Sequence, residues 1–206
     1  SLKRGLQSFN ESSALNPQNP YSASKASADI MLDAWSNTYN LNFIRVNCSN
    51  NYGPMQYEEK LIPSIIKRAL NLDDITIYGD GKQIREWIYV EDCCKAIYKT
   101  AELGKIGENY NIGSGTEITN NMVAKEICAR LDKIFLNELN KINISSFQTF
   151  ISHVKDRPGH DRRYSISSEK IKQRTGWVPK ESFSSGINKT IKWYLSNTNW
   201  VKKLAK

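Results

Sequence analysis

The sequence predicts an α/β fold: the C-terminal part of a doubly wound parallel sheet, with a smaller α+β region attached. Three observations carry that expectation. A helix signal over Pro20–Tyr39 runs through a short connection into the apolar stretch 41–50, which ends in a polar loop. Helix, connection, strand and loop form the repeating unit of a parallel α/β sheet. Short strand and helix signals then alternate as far as residue 134. Finally, 206 residues with 39% hydrophobic and 24% charged content suit one core, or one domain plus part of another.

Each element has a local cause. Asn16-Pro17 and Asn19-Pro20 are turn signals, Asn19 is a good N-cap and Pro20 a good first helical residue. Ala23, Ala26, Ile30, Ala34 and Trp35 recur at helical period and predict the packed face. "LNFIRVNCSN" (41–50) reads as a buried strand and "NNYGP" as the loop after it. In such sheets ligands lie beyond the carboxyl ends of strands, which places Asn50 and Asn51 at a ligand. A helix is expected after Pro63, a strand over 75–79, the turn "GDGK", and a strand near "EWIYV". "VEDCCKAIYKTAEL" reads as a helix with Glu91 and Asp92 suiting its N-terminal dipole. "ENYNIG" reads as a strand and "NNMVAKEICARLDKI" as an amphipathic helix. The segment 135–150 shows no clear period. "SHVKDRPGHDRRYSIS" reads as an Arg-rich, ligand-facing loop, and a last helix is expected over 183–196. One helix and one strand are few for a parallel sheet, so the strand over 41–48 is expected to have an open edge.

Composition narrows the function. The formal charge of +8 suits nucleic acid or a phosphorylated substrate. The basic residues are spread along the chain without a nucleic-acid motif, which favours the substrate. Four cysteines without a Cys-x-x-Cys spacing and two histidines argue against zinc and for reduced thiols in a cytoplasmic protein. No apolar run reaches membrane length. Trp35, Trp87, Trp177 and Trp193 read as core, and Cys93 and Cys94 as buried filler.

The chemistry centres on "PYSASKASAD". Tyr21 and Lys25 share a helix face at i and i+4. A fixed ammonium nearby favours a phenolate, and a phenolate can take the proton of a sugar hydroxyl. On spacing alone, a surface tyrosine beside a solvated lysine is the commoner arrangement. The "SNNYGP" loop after the next strand favours the functional one.

"NPYSASKASAD", "NCSNNYGPMQYEEKLIP", "IYGDGKQIREWIYVED", "ENYNIGSG" and "DRPGHDRRYSI" together resemble the dTDP-glucose 4,6-dehydratases, extended short-chain dehydrogenase/reductases. The resemblance runs from about Phe9 to Trp200. It implies an NAD-binding Rossmann-like fold, with residues 1–60 as what remains of the NAD-binding domain and 61–206 as mainly the sugar-nucleotide region. The implied reaction converts dTDP-glucose to its 4-keto-6-deoxy form on bound NAD, in deoxysugar biosynthesis. It makes Tyr21 the base and Lys25 its partner on the nicotinamide ribose. Cys48 and Asn51 would lie at the cofactor and Asn50 at the substrate. Lys60, Leu61, Thr76, Ile77, Tyr78, Arg85 and Asn111 would contact the sugar nucleotide, with Arg85 on the diphosphate. Asp156, Arg157, Pro158, Gly159 and His160 would close over it. No metal is implied. A homodimer through the Tyr-Lys helix is implied, with neither nucleic acid nor membrane as a partner. A related UDP-sugar dehydratase, epimerase or decarboxylase, or a non-catalytic binding remnant, is the alternative.

The sequence departs from that family in two respects. It contains no Gly-rich dinucleotide loop and no Thr-Asp-Glu triplet, and it begins with Ser1. The expectation is a chain that is inactive by itself. Glu86 also stands where the family usually has Asp, and Glu58 where it usually has Pro.

Overall fold

The computed structural model describes residues 8–198. Helix α1 spans Pro20–Tyr39, strand β1 Arg45–Cys48 and strand β2 Asn50–Tyr52. Helix α2 (Leu61–Asn71), strands β3 (Ile75–Tyr78) and β4 (Ile84–Tyr89) and helix α3 (Val90–Leu103) follow. Next come β5 (Asn109–Ile112), β6 (Glu117–Thr119), α4 (Asn120–Ile134), α5 (Leu136–Lys141), a 3-10 turn (Phe147–Phe150) and β7 (Ile151–Val154). Strand β8 (Arg163–Tyr164) and helices α6 (Glu169–Thr175) and α7 (Phe183–Ser196) complete the chain.

Three small sheets organise these elements. β1 pairs in parallel with β5 and, among the described residues, with no other strand. β4 is the hub of the second sheet, parallel to β2 and β8 and antiparallel to β6. β3 and β7 form a third, parallel pair in which Tyr78 faces Val154 across the register. The larger core lies between α2, α4 and α7, whose Ile62, Ile65, Ile66, Ile127, Leu131 and Ile187 are all buried at helical spacing. Each such side chain contributes about 1.5–3 kcal/mol relative to exposure. A second cluster of Ile88, Tyr110, Ile112, Ile171 and Trp177 backs β1 and β5.

Helix α1 starts as expected: the Asn19 side chain accepts the Ser22 amide at 2.9 Å, and Ser22 Oγ accepts the Asn19 amide at 3.2 Å. Its packed face is not the expected one. No residue of α1 is buried. Ala23 and Ala26 are half-buried with Leu32, while Ile30, Ala34 and Trp35 point to solvent. The reason is electrostatic. Arg45 on β1 donates to the Asp29 carbonyl at 2.9 Å and to Asp33 at 2.6 Å, which turns the polar side of the helix toward the strand. Trp35 is therefore a surface residue at 54% exposure, not core.

Other corrections are smaller. The stretch 41–50 is half-buried, with a strand of four residues. Asn50 and Asn51 belong to β2 rather than to a loop, because β4 offers them a parallel partner. α2 begins two residues before Pro63, which its first turn tolerates. β7 begins at Ile151 and takes up the first three residues of the segment read as loop. Cys94 is exposed, since its neighbour Cys93 takes the inner face of α3. Among the described residues no helix is long and apolar enough to cross a membrane.

One buried carboxylate ties the hub together. Glu86 on β4 is fully buried. It accepts the Gly115 amide at 2.8 Å, the Ile166 amide at 2.8 Å and the Ser165 hydroxyl at 3.3 Å. Replacing it with alanine leaves the buried Ile166 amide unpaired, at a cost of about 1–3 kcal/mol, and frees the Gly115 amide. Glu86→Ala is expected to speed amide exchange at Gly115 and Ile166 by about 30- to 100-fold. Exchange at Ile65, in the other core, should change far less. Equal acceleration at all three amides would show that Glu86 is not a local tie.

Candidate functional site

Two groups of predicted residues come together, and they meet at the start of α1. The first group lies where β3 and β4 face the loop after β7. The β3–β7 pairing carries the chain from Val154 directly into residues 155–160, and the Gly79 amide donates to the Val154 carbonyl at 2.9 Å. Asp156 Oδ1 accepts from His160 Nδ1 at 2.7 Å and from the Arg157 amide at 2.8 Å. His160 Nε2 lies 3.0 Å from Arg157 Nη2. A guanidinium can only donate, so Nε2 accepts and Nδ1 carries the proton. The Arg157 guanidinium also lies over the Tyr78 ring, 5.1 Å from its centroid.

Arg85 completes this group. Its guanidinium donates to the Asp161 carbonyl at 2.8 Å and to the Ile84 carbonyl at 2.8 Å, half-buried. It lies within electrostatic reach of Asp161, Arg157 and Asp156. The result is a cluster of guanidiniums beside an exposed aromatic ring, chemistry suited to a phosphate ester with a planar base.

The second group surrounds the end of β1. Lys25 Nζ lies over the Tyr21 ring, 5.6 Å from the centroid. The ammonium therefore covers the ring face and not the phenolic oxygen. Tyr21 is 72% exposed. Half-buried Tyr164 lies within electrostatic reach of both Cys48 and Tyr21, and its phenol is pushed up chiefly by burial and then by Glu86. Asn51 donates to the Ser49 carbonyl at 3.2 Å, while its Oδ1 is buried without a hydrogen bond. The Cys48 thiol is lowered by a hydrogen bond with Cys93. The two groups are joined by Asn19, the α1 cap, whose Nδ2 donates to the Gly159 carbonyl at 3.4 Å. Gly159 has φ +66°, the left-handed backbone this turn needs.

Other predicted residues stand apart. Asn111 is buried, with its side chain donating to the Phe9 carbonyl at 3.4 Å and its amide to Glu11 at 2.8 Å. The Ile77 side chain is buried in the larger core, so only its backbone is offered to a ligand. Thr76 is half-buried on β3 beside Ser152. Lys60 is exposed at the start of α2 and bonded to Glu59 at 2.8 Å, with Leu61 half-buried beside it. Pro158 is exposed in the loop. A cavity of about 600 Å³ lies elsewhere, between Gly113–Gly115 and Ser167–Glu169, and holds none of the predicted residues. The described residues hold no cluster of three His, Cys, Asp or Glu fit for a metal.

Gln83 and Tyr164 are residues that sequence reasoning did not single out. Gln83 is buried and donates from Nε2 to Asp156 Oδ2 at 2.8 Å. Both lie inside quoted motifs, which was the available signal. Their orientation depends on partners more than 70 residues away and leaves no periodic trace.

Comparison with known proteins comes to rest on this geometry. The family model for GDP-mannose 4,6 dehydratase matches residues 3–190. The dTDP-glucose 4,6-dehydratase of Escherichia coli is 51% identical over 199 residues, covering 97% of this chain and 54% of that protein. The chain thus spans about half the length of the curated relatives it matches. The crystal structure of dTDP-glucose 4,6-dehydratase from Bacillus anthracis, in complex with NAD, aligns with TM-score 0.85 and 41% identity. It matches 99% of this chain and 60% of that one. The Streptomyces venezuelae enzyme DesIV, with NAD and TYD bound, aligns with TM-score 0.85 and 37% identity over 99% of this chain and 59% of that one. The fold agrees with the expected α/β, doubly wound class.

An acidic partner at the cluster's rim offers a test of this electrostatic layout. Asp80 is lowered to about 2, first by its 2.8 Å hydrogen bond from Arg162 and then by the Lys82 amide. A depressed carboxyl favours the folded contact above its ordinary range, and that contribution is lost as pH falls through the folded value. Arg162→Ala should move the Asp80 midpoint up toward about 3.9, read by carboxyl carbon NMR. A midpoint still near 2 would show that Arg162 is not its main partner.

Proposed function

The chain belongs to the GDP-mannose 4,6 dehydratase family, and from that premise we propose that it forms the sugar-nucleotide side of a dTDP-glucose 4,6-dehydratase. The observation that carries this reading is the contact between Asn19 and Gly159. It brings the start of the Tyr21–Lys25 helix against the cationic loop of Arg157 and His160. A base and an anion clamp thus lie on one continuous surface.

In this reading the cluster holds the nucleotide by its charge. Arg85 and Arg157 neutralise the diphosphate with planar, multi-donor heads, and Tyr78 stacks beneath the base. The sugar then extends toward Tyr21. The Tyr21 phenolate takes the proton of the C4 hydroxyl, and the Lys25 ammonium stabilises the resulting charge distribution. The unpaired, buried Oδ1 of Asn51 fits a carboxamide donor, so Asn51 and Cys48 are the residues that would hold NAD beside β1. NAD, when bound, accepts hydride from C4 and returns it to C6. The Gly-rich loop and the Thr-Asp-Glu triplet are not in this sequence. The reading therefore assigns these 206 residues substrate binding and the C4 base, and no turnover by themselves.

Nucleotide binding tests the reading directly. Isothermal titration of the 206-residue chain should show dTDP binding, and Arg157→Ala should weaken it about tenfold. UDP should bind less tightly. Absence of dTDP binding would sink the proposal, and a preference for UDP would move it to the UDP-sugar branch.

A homodimer through α1 is part of the same proposal. Ile30, Met31, Trp35 and Tyr39 expose a continuous apolar face on a helix that buries nothing. Sedimentation velocity should find a dimer that Trp35→Asp converts to monomer. A wild-type monomer at all concentrations would reject this mode of pairing.

A further inference from the structure

Asp156 belongs to the loop expected to close over the ligand, yet both oxygens of its carboxylate already hold hydrogen bonds within the protein. Oδ1 holds His160 Nδ1 at 2.7 Å and the Arg157 amide at 2.8 Å. Oδ2 holds Gln83 Nε2 at 2.8 Å. A carboxylate would in any case repel a diphosphate. We infer that Asp156, anchored by Gln83, is a positioning residue that fixes the proton of His160 and the direction of Arg157. The relay is Gln83 to Asp156 to His160 to Arg157, and its anchor lies in the core. That it serves a diphosphate rests on the function proposed above.

Each link constrains the next. Gln83 is only 2% exposed, and its backbone carbonyl accepts the Asn120 amide at 3.1 Å at the start of α4. Its Oε1 makes no hydrogen bond, so Asp156 alone sets which way the amide points. Turned over, the amide would set oxygen against oxygen. Space is reserved for the bond: a Cβ at Gly79 would lie 2.6 Å from Asp156 Oδ2 and 2.8 Å from Gln83 Nε2. Gly79 also has φ +64°, a backbone conformation in which any side chain is strained.

Asp156 then selects the His160 tautomer. As acceptor it draws the ring proton to Nδ1, leaving Nε2 as an acceptor for Arg157 Nη2 at 3.0 Å. Arg157 is held at two points, His160 and the Tyr78 ring, with its remaining N–H groups free to meet an anion. A phosphate oxygen can replace His160 Nε2 as the acceptor without moving the backbone. The clamp is in place before the ligand arrives, which lowers the ordering cost of binding.

The test uses the 206-residue chain labelled with nitrogen-15 histidine. It has two histidines, and His153→Asn assigns the spectrum. Wild-type His160 should appear as the Nδ1–H tautomer. Gln83→Leu should give a mixture of tautomers and weaken dTDP binding about tenfold. Asp156→Asn, at an exposed position that leaves the core untouched, should do the same while the His153 signals stay in place. A wild-type Nε2–H tautomer would overturn the inference. So would variants that leave the tautomer unchanged, or that change it without weakening dTDP. If wild-type chain binds no dTDP, the proposed function fails, and the tautomer shifts alone decide whether the relay exists.

Discussion

The buried carboxylate of Glu86 is the interaction on which the arrangement depends. It sits on β4, the strand that gathers β2, β6 and β8. Its oxygens take amides from the turn after β5 and from the chain just past β8. Arg163 and Glu117 add a paired charge beside it, with contacts of 2.6–2.7 Å between β8 and β6. These polar bonds place the loop after β7 over β3 and β4. Apolar packing alone, being non-directional, would leave that loop many positions.

The site sets Arg85, which donates to backbone carbonyls, beside Arg157, which donates to His160 and lies over Tyr78. Arg85 is spent on holding Asp161 and Ile84, yet its charge still faces Arg157. Asp156, one of the two carboxylates within reach of Arg85, is held below the ordinary range by its hydrogen bond from His160, so it stays an acceptor.

The long helices were legible to the residue. α1, α3, α4 and α7 follow from capping residues and apolar period, which are local signals. β7, β8 and the placement of Asn50 in a strand were not, because each owes its existence to a partner far along the chain. The outward turn of α1 was misread for a similar reason: Arg45, six residues beyond the helix, decides which face turns inward. At the site, Tyr21, Arg157 and His160 could be picked out as types in a motif. That both Asp156 oxygens are already engaged, one of them by Gln83, could not, since hydrogen-bond accounting needs coordinates. Asn111 shows the reverse: a residue of the right type whose side chain is committed to Phe9.

The parallel pairing of β3 with β7 carries a temporal consequence. Gln83 and Asp156 are 73 positions apart, and Arg85 and Asp161 are 76. Contacts so distant form slowly, because a long loop must close before any of them is rewarded. On a ribosome, β3 and β4 emerge before residues 155–161 and wait for them with one side of the site open. A nascent chain is therefore blind to a ligand of that site until the stretch up to Asp161 has left the ribosome.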